Sequence, residues 1–183
     1  MKATICKAIS LILILLVLVN LPATAHAQET KQAQDISGIH LVRECSDMAS
    51  AKRLFNNEVW ESGWSNKITS LTLEYAEGIG SLYLQFLEAY GPYSITDNST
   101  GSVFAAGTNG FIHEYVDLTA CFGKAPASIT LSFEDGPSML HELSVYTEGE
   151  VPSSVQKWEA PDEGNVDLIL FATHSDDDQL FFA

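Results

Sequence analysis

Basic residues are scarce in this sequence: 9 Lys and Arg stand against 24 Asp and Glu, for a net charge of -15 over 183 residues. Lys and Arg supply the affinity for phosphate groups, so this balance excludes nucleic acid as the main partner and disfavours an anionic membrane surface. Disorder is excluded because 46% of the residues are hydrophobic and 10% are aromatic. The composition therefore predicts a packed core, and the length allows one domain of ordinary size.

The apolar run near the N-terminus is too short for a membrane anchor, which needs about 20 uninterrupted apolar residues. Lys2 and Lys7 form a short basic region before the run from Ala8 to Leu21, and Ala25-His26-Ala27 follows the run. This order is typical of a cleavable signal peptide over residues 1–27. No Cys directly follows the run, which argues against a lipid anchor. The sequence predicts a secreted protein, extracellular or in the cell envelope, without stable membrane insertion.

Cysteine is rare as well, with three in the whole chain. Cys45 and Cys121 remain after the predicted cleavage, and neither has a Cys or His nearby at metal-ligand spacing. In an oxidising compartment the two could form a disulfide, but they could equally be two buried thiols. The sequence leaves both alternatives open.

Alternating apolar and polar residues dominate the middle of the chain, from about residue 36 to residue 146. Gly, Asn, Asp and Pro interrupt the pattern about every dozen residues, which favours short strands joined by turns. A short helical segment is expected between Asp47 and Phe55. The pattern predicts an antiparallel β-sandwich over residues 28–147, within a mostly β protein. The predicted strands are Ile68 to Leu73, Leu82 to Leu87, Phe111 to Val116, Ile129 to Phe133 and Leu140 to Tyr146.

The order of apolar residues in this region resembles the discoidin-like, galactose-binding-type sandwich. The resemblance rests on Ala51 and Leu54, Trp60 and Trp64, Ile68, Leu71 and Leu73, Gly80 to Leu84, and Leu143 to Tyr146. It implies a domain that binds glycans or cell surfaces. Asn56-Asn57 stands where such domains commonly carry Asp-Gly, which argues against a calcium site. Trp60 and Trp64 are candidates for stacking on a sugar ring or, as the favoured alternative, for the core.

The stretch from Glu148 to Gly164 is rich in Gly, Pro and acidic residues and has no periodicity. It is therefore predicted to be a linker over residues 148–164. Val155 and Trp158 are its apolar members, and they are expected to dock it onto a neighbouring domain.

A different pattern begins after the linker. Val166 to Thr173 is nearly continuous in apolar residues, which is typical of a strand buried on both faces in a parallel sheet. His174-Ser175-Asp176-Asp177-Asp178 follows at once, where α/β folds place reacting groups. His174 and Asp177 are suited to bind one zinc ion. Asp176 is then free to take a proton from zinc-bound water. The alternative is a solvated acidic turn.

This segment resembles the first motif of the PIG-L-type zinc-dependent de-N-acetylases, in which a buried strand precedes His-Pro-Asp-Asp-Glu and an apolar helix. The resemblance implies that His174 and Asp177 are zinc ligands and Asp176 is the general base. Ser175 replaces the Pro and Asp178 replaces the Glu. The implied activity is removal of acetate from substrates that contain N-acetylglucosamine.

Residues 165–183 would then form only the first strand-turn-helix of a Rossmann-like α/β deacetylase domain. The third ligand of the family, a His farther along, has no counterpart after Asp178. The expectation is an N-terminal fragment of a longer secreted enzyme, inactive by itself. The alternative function is a secreted β-sandwich module that binds carbohydrate or a cell surface without catalysis. A sandwich with purely structural contacts is a third alternative.

Overall fold

The computed structural model describes residues 31–58, 66–134 and 136–158. Two short helical segments follow one another near the start of these ranges, an α-helix α1 (Met48–Ala51) and a 3-10 turn (Lys52–Phe55). A second α-helix, α2, spans Leu118–Phe122, and a further 3-10 turn spans Ile39–Leu41. The strands of the described ranges are β1 (Val42–Cys45), β2 (Ser70–Glu74), β3 (Ser81–Phe86), β4 (Tyr93–Asp97), β5 (Val103–Ala106), β6 (His113–Asp117), β7 (Ser128–Phe133) and β8 (Leu140–Tyr146).

The strands form two antiparallel sheets within these ranges. One has five strands in the order β1-β2-β7-β4-β5, and the other has three in the order β6-β3-β8. Among the strands of the described ranges, the five-stranded sheet therefore ends at β1 and β5, and β6 pairs only with β3. The prediction of a mostly antiparallel β protein is confirmed.

Period-two alternation explains how the sheets pack. In β7, Ile129, Leu131 and Phe133 are buried, and the residues between them are half-buried. Leu82 and Leu84 of β3 are fully buried and belong to the same hydrophobic cluster as these β7 residues. One cluster therefore includes side chains from both sheets, as expected when two sheets pack face to face.

Each of the five predicted strands corresponds to an observed one, with ends that differ by a residue or two. The predicted helical segment is also confirmed. Asp47 caps α1, since its side chain accepts a hydrogen bond from the backbone nitrogen of Ala49 at 3.1 Å. Strands β1, β4 and β5 and helix α2 were not predicted from the sequence. Strands β4 and β5 form a hairpin across the turn that begins at Asn98.

The start of the predicted linker packs against the three-stranded sheet. Val151 and Val155 are buried in a small cluster with Tyr83 of β3 and Tyr146 of β8. The backbone nitrogen of Ala33 donates to the carbonyl of Glu150 at 2.9 Å. Residues 150–158 thus lie on this sheet, as the apolar character of Val155 leads one to expect.

Cys45 and Cys121, the cysteines within the described ranges, are free thiols, and each is partly buried. Cys45 lies in β1 and donates to the carbonyl of Asp47 at 3.4 Å. Cys121 lies in α2. No helix in the described part of the chain is both long enough and apolar enough to cross a membrane.

Candidate ligand-binding surface

The outer face of the three-stranded sheet carries large polar and aromatic side chains. Strand register places Tyr83 between Tyr115 of β6 and Ser144 of β8. The next residue of β3, Leu84, belongs to the core, so Tyr83 lies on the opposite face. Segment 150–158 packs over this face, which brings Trp158 near β6.

Five side chains form what we call the aromatic cluster: Tyr83, Phe111, His113, Tyr115 and Trp158. The hydroxyl of Tyr83 and Nδ1 of His113 are hydrogen-bonded at 2.7 Å, and their rings stack with centroids 5.8 Å apart. The ring of Trp158 lies 5.0 Å from that of His113 and 5.7 Å from that of Phe111, the latter edge-on. These separations are those of favourable aromatic pairs, so the cluster holds its rings in fixed orientations.

Trp158 is the most available ring of the cluster. Its side chain remains 44% exposed although two rings pack against it. Its Nε1 donates to Oε1 of Gln156 at 2.8 Å, which further fixes its orientation. A rigid, half-exposed indole is a platform on which a flat apolar ligand face can stack with little loss of side-chain entropy.

The cluster is weakly charged. Burial lowers the pKa of His113, so its imidazole is neutral at pH 7. Burial raises the pKa of Tyr83, so its phenol keeps its proton. The ammonium of Lys157 lies 4.5 Å from the centre of the Tyr115 ring, a favourable cation–π distance. The surface therefore combines aromatic rings with neutral hydrogen-bonding groups and one cation.

Glu142 of β8 is a separate buried acid on the same sheet, 5% exposed. Its Oε2 accepts a hydrogen bond from the backbone nitrogen of Asn57 at 3.1 Å. Burial raises the pKa of Glu142 to about 7, and the nearby negative charge of Asp35 acts in the same direction. The carboxyl is covered by the segment that contains Asn57 and does not form part of the aromatic cluster.

The site residues predicted from the sequence, His174, Asp176 and Asp177, lie outside the described residues, as do Trp60 and Trp64. Elsewhere, in ranges 31–58, 66–134 and 136–158, no three His, Cys, Asp or Glu side chains are grouped so that they could hold a metal ion.

The hydrogen bond between Tyr83 and His113 could not be predicted from the sequence, because the two residues are 30 positions apart and only the register of β3 with β6 brings them together. Trp158 was the residue whose sequence context pointed to this surface, since a lone Trp in an acidic, aperiodic stretch needs an apolar surface on which to pack.

Comparisons of the chain with models of known protein families, with curated proteins and with solved structures find no match.

Proposed function

We propose that the β-sandwich is a secreted, discoidin-like module that binds carbohydrate, with the aromatic cluster as its binding surface. The observation that carries this proposal is the half-exposed ring of Trp158, held in place by His113 and Phe111. Two antiparallel sheets around a common core are consistent with the discoidin-like architecture. A signal peptide, inferred from residues 1–27, would deliver the module to extracellular glycans.

The chemistry of the cluster favours a sugar over other ligands. Pyranose rings present an apolar face of C–H groups, which stacks on indole, and hydroxyls at the ring edge, which need donors and acceptors. Nδ1 of His113 is hydrogen-bonded to the hydroxyl of the buried Tyr83, and the other ring nitrogen of His113 would supply such a group next to the stacking surface. With a net charge of -15, the chain favours neutral or basic glycans over anionic ones.

A glycan array probed with the full chain tests this proposal, followed by titration of the best-binding glycan. We expect Trp158→Ala to weaken binding by about tenfold or more, because loss of a stacking ring costs about 1.4 kcal/mol. Met48→Ala is a matched control, since Met48 is 43% exposed and lies in α1. Equal affinities of the wild type and Trp158→Ala would contradict the proposal.

A second function is proposed for residues 165–183, on the basis of their sequence. An imidazole and a carboxylate are suitable zinc ligands, and His174 and Asp177 supply them directly after an apolar run. Zinc bound there would make a coordinated water acidic enough to yield hydroxide at neutral pH. Asp176 would hold the proton of the attacking water. We therefore retain a zinc-dependent de-N-acetylase acting on N-acetylated amino sugars as the accompanying proposal.

Zinc titration of the full chain tests the ligand assignment. We expect His174→Ala to bind zinc at least about tenfold more weakly than the wild type, which corresponds to about 1.4 kcal/mol. His40→Ala is the matched control, because His40 is exposed in the sandwich. Equal zinc affinity in all three proteins would remove the basis for the de-N-acetylase while leaving glycan binding by the sandwich unaffected.

A further inference from the structure

A cleft opens between β5, at the edge of the five-stranded sheet, and β6, at the edge of the three-stranded sheet. Its volume is about 270 Å³. Strand β5 lines one side with Ala106, α2 contributes Cys121, and the turn at Thr108 and Asn109 lies at its border. Ligand pockets in proteins start at roughly 300 Å³, so the cleft suits one small molecule rather than a chain.

Glu114 lies in this cleft and joins the two sheets. It is opposite Leu84 in the register of β6 with β3, and so faces the interior. Its Oε2 accepts a hydrogen bond of 2.5 Å from the hydroxyl of Tyr93, which belongs to β4 in the other sheet. Tyr93 is 1% exposed, and burial, together with the charge of Glu114, raises its pKa strongly, so it remains a donor. Among the described residues no side chain or backbone group bonds to the other carboxylate oxygen of Glu114, and because Glu114 lines the cleft this oxygen is open to a ligand.

The charges around the cleft indicate the kind of ligand. Glu114 and Asp117 are the charged side chains among the described residues that line it, and both are acidic. Burial raises the pKa of Glu114, because an ionised carboxylate without a countercharge is disfavoured there. A bound cation would offset that cost. A metal ion is a poorer candidate, since the described residues include no group of three potential ligands.

We propose that this cleft binds a small organic ammonium compound, with Glu114 as the countercharge and the cleft walls enclosing its carbon skeleton. The ammonium would donate to the carboxylate oxygen that Tyr93 leaves available. Glu114 and His113 lie on opposite faces of β6, and Tyr115 of the aromatic cluster also lines the cleft.

Cys121 lines the cleft, so its reactivity is a probe of ligand binding there. Cys45 is the internal control, because it lies in β1 at the far edge of the five-stranded sheet. The experiment uses the full chain at pH 6.5, where primary amines of this kind are protonated. D-glucosamine is the probe, and N-acetyl-D-glucosamine is its neutral counterpart of similar shape. Maleimide labelling is measured at each cysteine by peptide mass spectrometry, and affinity is measured by calorimetry.

We expect glucosamine to slow the labelling of Cys121 and not that of Cys45, and N-acetylglucosamine to slow neither. Glu114→Gln keeps an oxygen that can accept from Tyr93 but removes the charge, so it should weaken glucosamine binding at least tenfold. Glu44→Gln makes the same change at an exposed position of β1 and should leave the affinity unchanged.

Three results would overturn the proposal: no protection of Cys121, equal protection by the two sugars, or unchanged affinity in Glu114→Gln. If Glu114→Gln fails to fold, the comparison of the two sugars on the wild type decides alone. Binding that leaves Cys121 fully reactive but is lost in Trp158→Ala would place the sugar at the aromatic cluster, which refutes the cleft and supports the carbohydrate-binding module.

Discussion

The stability of the fold should fall as the pH rises from 5 to 8, because Glu142 binds its proton more tightly in the folded state than in the unfolded chain. Burial raises its pKa from an ordinary 4.5 to about 7. Between these values the folded protein holds a proton that the unfolded chain has released, so deprotonation at higher pH favours unfolding. The sign is therefore opposite to that of a salt-bridged carboxylate.

The size of the effect follows from the difference in pKa. At about 1.4 kcal/mol for each unit, the full difference corresponds to about 3 kcal/mol, and about 2 kcal/mol of it falls between pH 5 and pH 8. Glu142→Gln keeps a side-chain oxygen that can accept from the backbone nitrogen of Asn57, and it cannot ionise. This variant should lose little of that stability over the same range.

Urea denaturation of both proteins at pH 5, 6, 7 and 8 measures the effect as a difference between two curves. The difference is needed because His113 contributes with the opposite sign. Burial lowers its pKa, so its contribution to stability is present above the ordinary histidine value and is lost as the pH falls below it. Parallel pH profiles for the wild type and Glu142→Gln would refute the assignment of a protonated Glu142 to the folded state.

Two further predictions test the packing. Gly107→Ala should destabilise the fold by about 3 kcal/mol, because Gly107 has a φ of 80° and an added Cβ would lie 2.7 Å from the Tyr93 ring. Gly101→Ala is the control and should cost only about 1 kcal/mol, because Gly101 has a φ of 74° but open space around it. Equal losses of stability in thermal denaturation would contradict this prediction. Val155→Ala should lower the free energy of unfolding by about 1.5 kcal/mol and speed proteolysis within residues 150–158, because it removes buried apolar surface against Tyr146. An unchanged rate of cleavage would show that this packing contributes nothing to stability.

Strand β7 could be predicted from the sequence because it buries one face completely. β7 alternates Ile, Leu and Phe with Thr and Ser, so its period is visible without any knowledge of its partners. β5, by contrast, is a four-residue edge strand in which no side chain is fully buried, and Val103 is 63% exposed. All four of its residues are apolar, so the strand shows no alternation between an apolar and a polar face. What defines it is pairing with β4, which the sequence does not display.

The candidate sites were less predictable than the strands for the same reason. Glu114 stands in an alternating run whose two faces look alike in composition, and only the register with β3 shows that Glu114 faces the core while Tyr115 faces outward. Partners such as Tyr93 then come from the other sheet. The predicted zinc motif is different in kind, because its residues are adjacent in the chain and need no tertiary contact to be noticed.

Strand β6 thus links the two proposals, since consecutive residues of one strand point to opposite faces of its sheet. His113 and Tyr115 belong to the aromatic cluster, and Glu114 between them belongs to the cleft. A shift of one residue in the pairing of β6 with β3 would bring Glu114 to the outer face and carry the aromatic rings inward, where Tyr93 already fills space. Such a shift would bury two large rings and remove both sites together. The present register instead keeps the rings out of the core and leaves a chemically distinct surface on each side of the strand.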